Sequence, residues 1–177
     1  MSHAKPHILI CIDWFEPGYK AGGPIRSVAH LIAALHEHYD FSVLTTDRDL
    51  GDQELYPGIE PDEWIQREHY KIWYASPEQR GYRNIRGILD RISYDVLYWQ
   101  SMFSLRFSLF PIWASRAVEP EAPIVWAPRG MLHAGAMAFK SQKKKWFLRV
   151  LKWFGIPAEE RFQATDAQEV ADIRAIF

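Results

Sequence analysis

The strongest constraint on this chain is a repeated switch between two hydrophobic periods. Short, nearly continuous apolar runs alternate with stretches whose apolar residues recur every three or four positions. "HILICID" (His7–Asp13), "FSVLTT" (Phe41–Thr46), "KIWYA" (Lys71–Ala75), "DVLYWQ" (Asp95–Gln100), "PIVWA" (Pro123–Ala127) and "FQAT" (Phe162–Thr165) read as strands. A continuous apolar run suits a strand covered on both faces, as in a parallel sheet. From Pro24 the period changes: Ile25, Val28, Ile32 and Leu35 have helical spacing, and proline suits a first helical turn. Helices are also predicted over Asn84–Ile92, Leu105–Val118 and Ser141–Phe154, and after Asp166, where Glu169 completes a capping-box pattern. Asp47 to about His69 reads as a long polar loop. This alternation implies an α/β architecture around a mainly parallel sheet. With 177 residues the chain suffices for one domain with a proper core, spanning 1–177.

Composition narrows the function classes. The net charge of -1 suggests neither nucleic acid nor another polyanion as partner. Aromatic residues make up 15% of the chain, which argues for a large core or a stacking surface. Cys11, the single cysteine, lies in an apolar run and reads as a buried, inert thiol. His36 and His38 have no cysteine partners at zinc spacing and read as solvated residues at a helix end, so no metal site is expected. The N-terminus lacks a signal-peptide pattern, and no apolar run approaches a membrane span; a cytosolic location is the default expectation.

Ligands of such sheets bind outside the carboxyl ends of the strands, where strand order reverses. The loops Trp14–Gly23, Ser101–Ser104 and Pro128–Lys140 should therefore line a site. The first contains "EPGYKAGGPIRSV", which is glycine-rich and opens a helix. Its backbone N–H groups and the positive helix end offer an anion site. Gly22 and Gly23 lack β-carbons, so a phosphate could approach closely. Arg26 in the first turn opposes the helix dipole, a cost a nearby anion would reverse, and Lys20 adds a second cation. The alternative is a plain connection with a solvated arginine. A dinucleotide fingerprint is the third reading, with Asp47 placed as the ribose-binding acid. The spacing of Gly18, Gly22 and Gly23 does not match it.

The loop after "PIVWA" holds Arg129 between Pro128 and Gly130, where a ligand-facing arginine would stand, with His133 four residues on. A surface arginine and a histidine bonded to nearby backbone are the alternatives. The following helix carries Lys143, Lys144, Lys145, Arg149 and Lys152 among aromatic and aliphatic residues. It suits either an anionic membrane surface or a core-packing helix with a solvated basic face. Asp13, at a strand end, is the one carboxylate of interest. Holding the glycine loop is its expected task. No Ser–His–Asp set or nucleophile elbow is present.

Four segments, "EPGYKAGGPIRSVAHLIAAL", "TTDRDLGD", "YDVLYWQSMFS" and "WAPRGMLHAGAMAFKSQKKKWF", occur in an order that resembles the N-terminal domain of family 4 glycosyltransferases of the GT-B fold. The resemblance runs from about Ile8 to Ile176, and "TDAQEVADI" is similar to the segment before the family's crossover into its second domain. It implies a Rossmann-like, doubly wound sheet forming the acceptor-binding half of a retaining sugar transferase. The donor would be a nucleotide-sugar and the acceptor a glycan or lipid-linked precursor; no metal or other cofactor is implied. Gly22 and Gly23 would approach the donor diphosphate, helped by Arg26 and Lys20, with Ser101 nearby as a substrate contact. Arg129 stands where many members have a histidine that contacts the transferred sugar, and His133 is its possible substitute. The donor-binding C-terminal domain has no counterpart within these residues, so the isolated chain is expected to be inactive. A non-catalytic recruitment module of a split transferase and a dinucleotide-binding oxidoreductase domain are the alternatives. The basic helix would add peripheral contact with the cytoplasmic membrane face.

Overall fold

A computed structural model describes residues 5–100, 102–138, 141–153 and 161–177. Its centre is a seven-stranded sheet: β1 (His7–Cys11), β2 (Asp40–Thr46), β3 (Trp64–Gln66), β4 (Lys71–Ala75), β5 (Val96–Trp99), β6 (Ile124–Trp126) and β7 (Arg161–Phe162). The strands lie in the order β3-β4-β2-β1-β5-β6-β7, all parallel except the edge strand β3. The chain winds outward from β1 through β2 to β4, returns to β5 on the other side of β1, and winds outward again. The fold is thus α/β and Rossmann-like, with a doubly wound, mainly parallel sheet.

Side-chain alternation along the strands sorts the core into two layers. Ile10, Val43, Ile72, Tyr74 and Tyr98 meet Ile25, Val28 and Ile32 of α1 (Gly23–Leu35) on one face. Leu9, Cys11, Leu44, Leu97, Trp99 and Trp126 form the other. That face is covered by α2 (Tyr82–Leu89), α3 (Phe110–Val118), α5 (Ser141–Trp153) and α6 (Ala167–Ile176). Trp99 and Trp126 stack there at 4.1 Å, and Phe162 and Phe177 pack on Trp126. Cys11 is fully buried, and burial pushes its thiol far up, as an inert core residue requires.

The expected long loop Asp47–His69 contains β3. Trp64 pairs with Trp73 across the antiparallel ladder, and their rings meet edge to face at 5.6 Å. The expected helix Leu105–Val118 begins as a π-turn, Leu105–Leu109, before α3. Pro111 has no N–H to give the carbonyl four residues back, and the wider turn accommodates that loss. A short helix, α4 (Ala134–Ala138), interrupts the loop Pro128–Lys140. His36 is not simply solvated: its ring stacks on His69 at 3.8 Å.

Candidate functional site

Strand order reverses at β1, so its carboxyl end and that of β5 flank the crevice of the sheet. Asp13 leaves β1 there, and its Oδ1 accepts from Ser104 Oγ at 2.7 Å. Ser104 in turn caps the π-turn by accepting from the Phe107 amide. Asp13 therefore ties the crevice to the loop after β5. Ser101 lies outside the described residues.

Asp49 holds the glycine loop. Its Oδ2 accepts from the amides of Tyr19 (2.8 Å) and Lys20 (3.1 Å), and its Oδ1 from Leu50 (2.7 Å). Burial alone would raise this carboxyl's pKa, but the three amide hydrogen bonds outweigh it and hold it below the usual aspartate range. Gly18 makes the approach possible: a β-carbon there would stand 2.9 Å from the Phe15 carbonyl. Lys20, on the exposed side of the loop, pairs with Asp52, its Nζ 2.5 Å from Oδ1.

The end of the loop is different. Gly22 adopts φ +72°, a conformation that L side chains rarely take, and β-carbons at Gly22 or Gly23 would meet nothing within 4 Å. No side chain caps α1, and its first turn contains no acid. The helix therefore presents an open, positively polarised end. Arg26 is exposed and has no ion-pair partner among the described residues.

Across β5 stands the second cationic loop. Arg129 (φ +53°) and Gly130 (φ +76°) are both left-handed. A non-glycine residue holds that conformation only where its surroundings impose it. Glu169 supplies the restraint. Fully buried, it accepts from the Gly130 amide at 2.5 Å and from the amide and hydroxyl of Thr165 at 2.7 and 2.8 Å. Burial pushes its pKa up, but these donors outweigh burial and keep the carboxylate charged. Partly buried Arg129 then lies against the sheet: Nε donates to Gln100 Oε1 (3.2 Å) and Nη2 to Tyr98 Oη (2.9 Å). His133 Nδ1 donates to Asp172 on α6. That bond raises the His133 pKa and lowers that of Asp172, so it favours the charged ring; in the neutral ring it leaves Nε2 as the acceptor.

Of the basic helix, Lys143, Lys145 and Arg149 are exposed and have no ion-pair partner among the described residues. Lys144 is turned inward, donating to the Ala136 carbonyl at 2.6 Å and lying over the Phe103 ring, and Lys152 lies over Phe177. Phe147, Leu148 and Leu151 are buried, whereas Trp146 is 63% exposed beside an apolar cavity of about 620 Å³ lined by Phe103, Leu105 and Leu109. The helix thus packs on the core and also keeps an apolar, basic outer surface.

The dinucleotide reading loses its acid. Asp47 is fully buried, clamped by Arg48 Nε and Nη2 (2.8 and 3.0 Å) and by Arg80 Nη2 (2.5 Å). No group of three or more His, Cys, Asp or Glu side chains suited to a metal ion occurs among the described residues. No helix among the described residues is long and apolar enough to cross a membrane. No family model and no curated protein matches the chain.

Gly22, Gly23 and Arg26, at the start of α1, and Arg129 and His133, after β6, thus follow strands at the carboxyl edge of the same sheet. Tyr98, Gln100, Asp49, Glu169 and Asp172 escaped sequence reasoning as partners of those loops. Only Glu169 had a local signal, its place in the capping box: its amide does donate to Asp166, but its carboxylate takes Thr165 and Gly130 rather than the Asp166 amide the pattern predicts.

Proposed function

We propose that the chain is the acceptor-binding half of a retaining sugar transferase that moves a sugar from a nucleotide-sugar to a glycan or lipid-linked acceptor. The observation that carries this reading is the uncapped amino end of α1, opened by left-handed Gly22, with exposed Arg26 in its first turn. A helix end of that kind lowers the energy of an approaching diphosphate. Catalysis of sugar transfer rests on stabilising the departing diphosphate, and fixed backbone dipoles do this with no reorganisation. Arg129 and His133 face the sugars from the neighbouring loop. A facing donor-binding domain completes the site. The buried, twice-paired state of Asp47 supports this reading over the dinucleotide alternative.

Inorganic pyrophosphate tests it. Titrated into the isotopically labelled chain, it should shift the amide resonances of Gly22, Gly23 and Ile25. Arg26→Glu should weaken binding roughly tenfold, about 1.4 kcal/mol. Unmoved amides, or equal affinity in the variant, would refute the reading. Sugar transfer by residues 1–177 alone would refute the half-enzyme part of it.

The exposed side of α5 supports a peripheral membrane contact within this proposal. Cations beside an exposed tryptophan and an apolar cavity fit the interface of an anionic bilayer. Vesicles containing anionic lipid should bind the chain, and salt should weaken that binding. Equal binding to neutral vesicles would count against it.

A further inference from the structure

An apolar cavity of about 620 Å³ lies between α5 and the π-turn that follows β5. Its inner lining includes buried Leu109 and Phe147, and Phe103 stands edge to face with Phe147 at 5.5 Å. Its outer lining includes Leu105 and Trp146, which are 52% and 63% exposed. Water finds few hydrogen-bond partners against such walls, so apolar matter displaces it readily. The volume falls in the range of small-molecule sites, about 300–1,000 Å³. A second observation concerns charge. Lys143 and Lys144 line the same cavity, and no acid among the described residues does. Lys144 Nζ donates to the Ala136 carbonyl at 2.6 Å and lies 4.8 Å from the centre of the Phe103 ring, so its charge stays at the cavity wall. Lys145 and Arg149, both exposed, follow on the same helix. None of these four cations pairs with a carboxylate among the described residues.

We infer that this cavity takes up the hydrocarbon chain of an anionic membrane lipid, one molecule per protein, with the lipid's phosphate beside Lys143 and Lys144. Adsorption on a bilayer needs only an outer surface. A cavity whose lining runs from exposed Leu105 and Trp146 to buried Leu109 and Phe147 does more, because it encloses apolar matter. The lysine stems extend the apolar wall, and their ammonium groups meet a negative head group at its rim. Charge also selects against the other occupants. An uncharged chain would leave the cations without a counter-charge. A second copy docking through the same face would set its lysines against these. The inference rests on the membrane contact proposed above and not on the chemistry of sugar transfer.

Hexyl, octyl and decyl phosphate, each kept monomeric, are the probes. The methyl resonances of Leu105 and Leu109 and the indole N–H of Trp146 are the readout. Decyl phosphate should shift all three and saturate at one equivalent. Affinity should rise about three- to fourfold for each added methylene. Inorganic phosphate should shift none of them, and the uncharged decyl ether of tetraethylene glycol should bind roughly tenfold more weakly. Leu105→Glu sets a carboxylate at the exposed rim and should weaken decyl phosphate roughly tenfold, as should Lys143→Glu. An unchanged amide spectrum establishes that a variant is folded, and one folded variant suffices. Shifts confined to Trp146 and Leu105, equal affinity for the uncharged ether, or full affinity in a folded variant would overturn the inference. So would self-association of the parent that Leu105→Glu abolishes, which would assign the cavity to a second copy. Salt-sensitive vesicle binding with no uptake of monomeric decyl phosphate would remove this inference and leave the membrane contact standing. Uptake without any vesicle binding would remove that contact and leave the cavity as a site for a free anionic amphiphile.

Discussion

Asp47→Ala is expected to destabilise the fold by about 3–5 kcal/mol, the range for removing one partner of a buried ion pair. Asp47 is fully buried at the end of β2 and accepts three hydrogen bonds from two arginines. Arg48 is partly solvated and can turn outward, so its loss is small. Arg80 cannot: its side chain is 11% exposed, and Nε is committed to the Ala75 carbonyl. With the carboxylate gone, a guanidinium remains at the edge of the core between β2 and β4. Urea denaturation of the parent and the variant measures the difference. A loss under about 1 kcal/mol, the ceiling for a surface pair, would show that Arg80 escapes to water.

Glu169→Ala should cost about 2–4 kcal/mol, since hydrogen bonds to a charged group are worth roughly 1.5–3 kcal/mol each and the exposed ends regain water. Three donors lose their acceptor, two on Thr165 and one on Gly130. The Asp166 cap survives, so α6 itself should persist. The left-handed turn at Arg129 and Gly130 should loosen. The effect has a pH signature. Glu169 has a lowered pKa when folded, so its contribution is complete above the ordinary glutamate value and is lost as pH falls through the lowered one. The stability gap between parent and variant should therefore shrink in acid. A gap independent of pH down to strongly acidic solution would mean that the charge of Glu169 is not what holds the loop.

Parts of this molecule are written locally. The apolar runs at His7, Phe41, Lys71, Asp95 and Pro123 became strands because each is long enough to be buried on both sides. β3 was not legible. Trp64–Gln66 is three residues long, and Trp73, which covers Trp64, comes from the next strand. α4 was hidden for a related reason: Ala134–Ala138 is too short and too small to show a period.

The site divides in the same way. Gly22, Gly23 and Arg26 were readable because a left-handed turn and a helix's first residues are neighbours in the chain. The pairing of Lys20 with Asp52 was not readable, because Asp52 is 32 residues away. Asp49, which the sequence did not mark for the task, bonds the glycine loop from 30 residues away. Arg129 was noticed as a loop arginine, but its neutral partners and the orphaned amide of Gln100 are properties of β5 as packed, not of any motif.

By itself the sequence determined the kind of layers, the order of the longer strands and helices along the chain, and the placing of glycines and cations at strand ends. Hydrophobic period and turn chemistry act over a few residues, so they survive in one dimension. Tertiary structure alone decided which carboxylate closes which loop, which lysine faces solvent, and which side chains the loop arginine Arg129 bonds. Those outcomes depend on crossovers that bring residues 30 or 39 apart into hydrogen-bond range, and spacing in the chain carries no trace of them.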